Sequence, residues 1–260
     1  MTLQMNEENI KVGIQKPEEG RRLVIGDVHG CHRTLKKLIE KQLLLQKEDY
    51  LFFLGDFIDR GPDSAAVLDY VFELEDKGFQ IFPLRGNHEQ MFLDDYQLES
   101  AEGLKRVLIE NNTQNLLNAH GKVIPEYWDF FNSLPFCYEL EDFYLVHAGF
   151  NFKRRNPFQD VHSMMWVRNM EIHWMLYEQN PPQDPALQET FENFKRRKIV
   201  FGHTPTSIYD IRHQIERERH LIPLDNGCVF SQMGSIELGR LCALNLDTME
   251  LTSQENVEEN

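Results

Sequence analysis

The chain has 260 residues, of which 41% are hydrophobic and 11% aromatic, and its formal net charge is −15. This length and composition are typical of one or two globular α/β domains. No apolar run approaches the roughly 20 residues that cross a bilayer, so a membrane-spanning protein is excluded. The negative charge argues against non-specific binding to nucleic acid or anionic lipid. We therefore expect neither a nucleic acid nor a membrane as a partner.

The cysteines and the two chain ends indicate the compartment and the domain limits. Four cysteines are scattered without a C-x-x-C pair, which is typical neither of a zinc cluster nor of a disulfide-rich secreted protein. The first twenty residues include four glutamates and no apolar segment of the signal-peptide kind. We expect a cytoplasmic protein with a disordered segment over residues 1–20, one domain over 21–252, and a disordered tail over 253–260.

Three strand–loop–helix units are predicted in the first hundred residues. Apolar runs at 23–25, 50–54 and 79–84 each end at or just before a glycine, and a helical pattern follows each of them. Pro62-Asp63-Ser64 opens the second helix, and Gly78 closes it. Such a series predicts parallel strands with right-handed crossovers and functional loops at the carboxyl ends of the strands.

The second half of the chain predicts another sheet. A polar helical pattern over residues 99–134 indicates an insert, and residues 151–198 are expected to form a surface flap. The later strands are separated by turns more than by helices, which favours a second sheet packed on the first. These strands are predicted at 143–146, 199–201 and 221–224, followed by a hairpin of 235–238 with 240–246.

Five strand-end loops carry the residues with chemistry, in the order GDVHG, GDFIDRG, GNHE, VHAG and FGHT. Because loops after parallel strands meet at one edge of a sheet, their side chains should gather in one cleft. Imidazole, carboxylate and amide donors without thiolates suit divalent Mn, Fe or Zn. The set is too large for one tetrahedral ion, so two ions are predicted, with Asp56 placed to bridge them.

The blocks GD-x-HG, GD-x-x-DRG and GNHE, followed by two separated histidines, resemble the phosphoprotein phosphatase family of metallophosphoesterases over about residues 23–246. The motifs VHAG and FGHTPT are similar to its bacterial branch. The resemblance implies an α/β fold, with a two-sheet β-sandwich flanked by helices in four αββα layers. It implies one metal held by Asp27, His29 and Asp56, a second held by Asp56, Asn87, His147 and His203, a proton donor in His88 backed by Asp59, and phosphate clamps in Arg60 and Arg168. Arg154, Arg155 and Arg196 lie in the same region as Arg168 and are alternatives to it.

This resemblance predicts a manganese-dependent hydrolase, with Fe or Zn as alternatives, in which a metal-bridging hydroxide attacks phosphorus directly. The leading expectation is hydrolysis of phosphoserine and phosphothreonine in proteins. The alternative is hydrolysis of a dinucleoside polyphosphate such as diadenosine tetraphosphate at the same site. The five blocks contact only phosphate, so the insert and the flap would choose between a phosphoprotein and a phosphorylated small molecule. A non-catalytic phosphate-binding scaffold is disfavoured because no ligand or acid position is missing.

Overall fold

The computed structural model describes residues 10–97, 103, 105, 109, 111–233 and 237–258. A π-helical segment (Leu38–Leu43) continues the first helix. The strands are β1 (Lys11–Gly13), β2 (Arg22–Ile25), β3 (Tyr50–Phe53), β4 (Gln80–Pro83), β5 (Cys137–Glu139), β6 (Phe143–Val146), β7 (Lys198–Phe201), β8 (Leu221–Pro223), β9 (Arg240–Asn245) and β10 (Glu250–Glu255). The helices are α1 (His32–Lys37), α2 (Ser64–Asp76), α3 (Asn87–Gln97), α4 (Pro125–Ser133), α5 (Val161–Trp166), α6 (Met170–Gln179), α7 (Pro185–Phe194) and α8 (Ile208–Glu216).

The first sheet has the strand order β10-β9-β2-β3-β4. Strands β2, β3 and β4 run parallel, with Leu23 opposite Leu51 and Leu51 opposite Ile81. The predicted strand–loop–helix units are therefore confirmed. Helix α2 begins where the sequence indicates, because the Asp63 side chain accepts a hydrogen bond from the Ala66 backbone N–H.

The second sheet has the order β1-β5-β6-β7-β8, and β6, β7 and β8 run parallel in it. A core cluster that includes Val24 and Phe52 of the first sheet and Leu145 and Val200 of the second lies between the two sheets. The outer face of the first sheet packs on α1 to α4, and that of the second on α5 to α7. The predicted four-layer αββα sandwich is confirmed. The parallel strands of both sheets end at the loops that carry the five sequence motifs.

Several connections differ from the sequence expectation. Segment 151–198 is a helical layer rather than a surface flap, because Met164, Trp174 and Phe191 are buried against the second sheet. Helices connect β6 to β7 and β7 to β8, so turns do not dominate this half. Part of the 99–134 insert lies outside the described residues, and its described end contains α4.

In the described residues, β9 forms a hairpin with the strand that follows it, not with the preceding segment that the sequence predicts. Strand β9 pairs with β10, which follows it, in register from Asn245 opposite Glu250 to Arg240 opposite Glu255. The Asn245 side chain accepts hydrogen bonds from the backbone of Asp247 and Thr248 and so closes the turn between them. Residues 235 and 236 of the expected first strand, which was predicted over 235–238, lie outside the described residues.

Both chain ends enter the sheets farther than their polar composition predicts. Strand β1 pairs in parallel with β5, so order begins within the segment expected to be disordered, whose residues 1–9 lie outside the described part. Strand β10 runs to Glu255, past the expected start of the tail. Beyond it, Glu258 accepts hydrogen bonds from the backbone N–H and hydroxyl of Thr34. Backbone pairing orders these segments despite their lack of apolar side chains.

Among the described residues, no helix has the length and apolar character that spanning a membrane requires.

Candidate metal centre

Six strand ends, three from each sheet, bring the candidate residues together. Strands β2, β3 and β4 lead into Asp27, Asp56 and Asn87, and β6 and β7 lead into His147 and His203. Strand β8 leads in the same way into a sixth loop with a buried Asp225. Both sheets therefore contribute ligands to one edge, as parallel strands allow. All six predicted metal ligands are buried: Asp27, His29, Asp56, Asn87, His147 and His203.

The loop backbones are held in an unusual conformation. Positive φ angles occur at His29 (46°), Asp56 (52°), Asp59 (71°), Arg60 (67°) and His203 (70°). The left-handed region costs a non-glycine residue free energy, and it is retained where the surrounding structure enforces it. Five predicted site residues share this backbone conformation, which indicates that the fold directs their side chains toward one region.

The second predicted metal site is a group of facing acceptors. His147 Nδ1 lies 2.8 Å from the Leu54 carbonyl oxygen and donates to it, so Nε2 presents its lone pair. That atom faces Asn87 Oδ1 at 2.9 Å and Asp56 Oδ2 at 3.4 Å. Asn87 Oδ1 also lies 2.8 Å from His203 Nδ1. Electron pairs at these distances repel unless a positive charge lies among them.

The first group joins His29, Asp56 and His88, whose ligand atoms lie within 4.8 Å of one another. His29 Nδ1 donates to the Ile58 carbonyl oxygen at 2.9 Å, which leaves Nε2 as the acceptor. The Arg60 guanidinium donates to this Nε2 at 2.7 Å. The Arg60 guanidinium therefore contacts the acceptor nitrogen of His29, a residue that the family resemblance makes a metal ligand.

Asp27 belongs to the same edge but to neither compact group. Its carboxylate accepts the His203 backbone N–H, at 3.0 Å to Oδ2. Burial raises the pKa of Asp27 well above its ordinary value, and the charges of Asp225 and Asp56 raise it further. Asp27, Asp56 and Asp225 are neighbouring buried carboxyl groups, and they remain ionised only if positive charge lies close to them. Asp225, to which the sequence assigned no role, therefore also favours bound cations at this edge.

Glu89 holds two of the loops together. Its fully buried carboxylate accepts backbone N–H groups from Asp56 and Gly86 at 2.9 Å and from Phe57 at 2.8 Å, with a longer contact of 3.4 Å to Ile58. A Cβ on Gly86 would lie 2.1 Å from Asp56 Oδ1, so this close approach requires glycine. The sequence places Glu89 in the GNHE block without a role, and the structure makes it the support of the bridging aspartate.

His88 and Asp59 form a buried pair, with Nδ1 2.5 Å from Oδ2. Burial raises the pKa of Asp59 to about 8 and lowers the pKa of His88. The raised pKa of Asp59 favours a proton on Oδ2 or shared with Nδ1, and this leaves the hydrogen of the neutral imidazole on Nε2. A hydrogen on Nε2 is what a proton donor requires.

The two predicted phosphate clamps, Arg60 and Arg168, are both exposed side chains beside the buried ligands. Arg168 Nη1 donates to Thr204 Oγ1 at 3.4 Å. Burial is the largest cause of the lowered pKa of His88, and the charges of both arginines lower it further. Arg60, which contacts His29, and Arg168, which contacts the residue after His203, therefore border the candidate site.

The donor set fits two divalent cations. It offers imidazole nitrogens, carboxylates and an amide oxygen, which suit borderline metals. Burial lowers the pKa of His147 to about 3, so its imidazole is neutral and available as a ligand. The described residues thus contain two candidate groups that share Asp56.

Comparison with known proteins identifies the family. The model of the calcineurin-like phosphoesterase family matches residues 20–226. The chain belongs to this family. The superfamily that the sequence motifs resemble is therefore confirmed, and with it a metallophosphoesterase-type hydrolase.

Three curated relatives carry the name symmetrical bis(5'-nucleosyl)-tetraphosphatase. That of Wigglesworthia glossinidia brevipalpis is 26% identical over 218 residues, which are 77% of this chain and 76% of the relative. That of Vibrio campbellii is 26% identical over 184 residues, 69% of this chain and 64% of the relative. That of Nitrosospira multiformis is 31% identical over 125 residues, 48% and 42% of the two chains. The last two alignments span less than two thirds of the relatives' own length.

Solved structures share the fold. One provisionally named a diadenosine tetraphosphatase has a TM-score of 0.58 at 19% identity and covers 96% of this chain and 100% of its own. A protein serine/threonine phosphatase from Saccharomyces cerevisiae has a TM-score of 0.56 at 18% identity and covers 98% of this chain and 86% of its own. At these identities the likeness shows the fold alone.

The leading functional expectation, hydrolysis of phosphoserine and phosphothreonine in proteins, is wrong. The curated relatives described above are named as tetraphosphatases, which contradicts it and favours the alternative. The physical reason for the error is that the five loop motifs surround the candidate metal groups, where they would meet only the phosphate part of a substrate. Such motifs cannot distinguish a phosphoprotein from a nucleotide, because the rest of the substrate lies beyond their reach.

Proposed function

We propose that the chain hydrolyses dinucleoside polyphosphates such as diadenosine tetraphosphate, with cleavage at the middle of the polyphosphate. The observation that carries the proposal is the pair of buried ligand groups that share Asp56, in a chain whose relatives are named for this reaction. The phosphorylated partner is then a small molecule. A cytoplasmic location stays a prediction.

The proposed ligands follow the sequence assignment. Asp27, His29 and Asp56 would hold one divalent cation, and Asp56, Asn87, His147 and His203 the other, with manganese as the proposed metal. When bound, the two ions would bind phosphoryl oxygens as Lewis acids and lower the pKa of the attacking water. Asp56 would contribute to both sites, and the hydrogen bonds that Glu89 accepts would fix its backbone.

The remaining side chains would bind the polyphosphate and move the proton. Arg60 and Arg168 would donate planar hydrogen bonds to phosphate oxygens, which strengthen as charge develops on them. Water releases one proton to solvent and adds through its oxygen to one of the two central phosphorus atoms, and the bond from that phosphorus to the bridging oxygen breaks. The bridging oxygen leaves on a nucleoside diphosphate, and His88 Nε2 donates its hydrogen to it. Asp59 would keep the other ring nitrogen bonded to a proton.

The product pattern tests this proposal. We expect manganese-loaded protein to convert diadenosine tetraphosphate into ADP without AMP or ATP, as resolved by anion-exchange chromatography. The Asp56→Asn variant, which loses the shared carboxylate, is the matched negative control. Intact diadenosine tetraphosphate, under conditions in which the same sample cleaves p-nitrophenyl phosphate, would overturn the proposal. Formation of AMP and ATP would show that an outer phosphoanhydride bond is cleaved, which would contradict cleavage at the middle of the chain.

A further inference from the structure

Two aromatic side chains lie beside the candidate site, one near each proposed phosphate clamp. Trp166 is the last residue of α5 and precedes Arg168 by two positions, and Phe230 lies against Arg60. Both rings are half-buried, so each retains accessible surface. The polyphosphate chemistry described above uses neither ring.

The Trp166 ring is fixed at the His203 end of the site. Its centroid lies 6.2 Å from that of His203, with the ring planes at 80°. Helix α5 is attached to the VHAG loop, because the Ala148 backbone N–H donates to the Met164 carbonyl oxygen at 2.7 Å. One side of Trp166 packs on the core cluster of the outer helical layer. The ring is therefore held in place before any ligand arrives.

The Phe230 ring is fixed at the His29 end. The Arg60 guanidinium carbon lies 5.6 Å from its centroid, and the same guanidinium contacts His29 Nε2. The Phe230 backbone N–H donates to the Gly227 carbonyl oxygen at 2.8 Å. Gly227 has a φ of 62°, and a Cβ there would lie 2.9 Å from Phe230 Cδ2. The turn after Asp225 therefore lies directly against this ring.

We infer that Trp166 and Phe230 are stacking platforms for the two nucleobases of the substrate. The inference rests on the proposed function and deepens it, because it assigns the residues that recognise the nucleoside ends. A dinucleoside polyphosphate has a base at each end of its phosphate chain. The two rings lie near histidines of the two different ligand groups, so each end of a centrally bound polyphosphate would meet one ring.

Stacking accounts for selection of nucleotides over inorganic phosphates. A base that stacks on an aromatic side chain gains affinity without sequence-specific hydrogen bonds, and removal of such a ring weakens binding about 5- to 150-fold. Because every base has a π face, the platforms would accept adenine and guanine alike. The arginine beside each ring would bind the phosphates adjacent to that base.

The test compares ADP with inorganic pyrophosphate, which lacks the nucleoside. Calorimetry on the manganese-loaded protein, with manganese in excess, gives the ratio of the two dissociation constants. We expect wild type to bind ADP about 5- to 150-fold more tightly than pyrophosphate. The Trp166→Ala and Phe230→Ala variants should each lower this preference, and the double variant should abolish it. Trp166→Phe, which keeps a ring, should retain most of it.

The matched control is Trp128→Ala, which removes a half-buried tryptophan from α4 on the outer face of the first sheet. Its ADP preference should equal that of wild type. The inference is overturned if wild type has no preference for ADP, or if the double variant keeps the preference. Hydrolysis of diadenosine tetraphosphate is measured separately. If the protein shows a ring-dependent preference for ADP but does not hydrolyse diadenosine tetraphosphate, only the proposed function is refuted. If it hydrolyses diadenosine tetraphosphate but shows no such preference, only the stacking platforms are refuted.

Discussion

Replacement of Glu89 by glutamine tests whether the fold builds the site. Each carboxylate oxygen of Glu89 accepts backbone hydrogen bonds, Oε2 from Asp56 and Gly86 and Oε1 from Phe57. Glutamine keeps one acceptor oxygen and places an NH₂ group where the other oxygen lies. At least one buried N–H donor, and two in one orientation, would then face another donor. A buried unsatisfied group costs about 1–3 kcal/mol, so the free energy of unfolding should fall by about 1–6 kcal/mol.

The same change should weaken metal binding, because Asp56 loses the anchor of its backbone. Loss of an outer-shell partner typically costs about 10- to 100-fold in metal affinity. Urea denaturation of the EDTA-treated protein measures the first effect, and manganese titration measures the second. The control is Glu73→Gln on the exposed face of α2, whose carboxylate pairs with Lys77. If Glu89→Gln matches this control in both measurements, Glu89 does not support the site.

Three further predictions concern the proton donor, pH and the metals. Asp59→Asn should lower kcat by about 10²- to 10⁴-fold, because Asp59 orients the proton donor His88. Elemental analysis of this variant should still find two manganese ions per chain, and loss of metal would contradict that role. Because burial raises the pKa of Asp59 to about 8, the folded chain holds more protons than the unfolded chain between pH 7 and 8, a range above the ordinary pKa of histidine. Burial also raises the pKa of Glu89 to about 8, which acts in the same direction. The free energy of unfolding of EDTA-treated protein should therefore fall by about 1–2 kcal/mol from pH 7 to 8, and a rise in a urea titration would refute this sign. Chelation should abolish hydrolysis of p-nitrophenyl phosphate, manganese should restore it, and full activity after exhaustive dialysis against EDTA would exclude a metal requirement.

The sheets were predictable because buried parallel strands are continuous apolar runs. Strand Phe143–Val146 has the predicted bounds, and α2 begins after the predicted cap at Asp63. The edge strands were not predictable, since β1 and β10 are ordered by backbone pairing and carry polar side chains. Helix α8 was missed because its apolar positions, Ile208, Ile211 and Ile215, follow a short turn signal.

The candidate ligands were predictable because each follows a strand end beside a glycine. The same rule applied to the DNG sequence after β8 would have found Asp225. The role of Glu89 was hidden, because acceptance of several backbone N–H groups leaves no pattern in the sequence. Asp27 remains a predicted ligand, since the compact first group contains His88 instead.

Substrate selection follows from how the site is built. The left-handed backbones at Asp56 and His203 and the hydrogen bonds to Glu89 fix the ligand groups through the chain itself. A site fixed in this way presents the same phosphate-binding surface whatever is attached to the phosphate. Discrimination must then come from side chains at its rim, which vary without disturbing the ligands. As proposed substrate-binding rings, Trp166 and Phe230 lie on segments outside the five motifs, so the motifs alone could not have indicated the substrate.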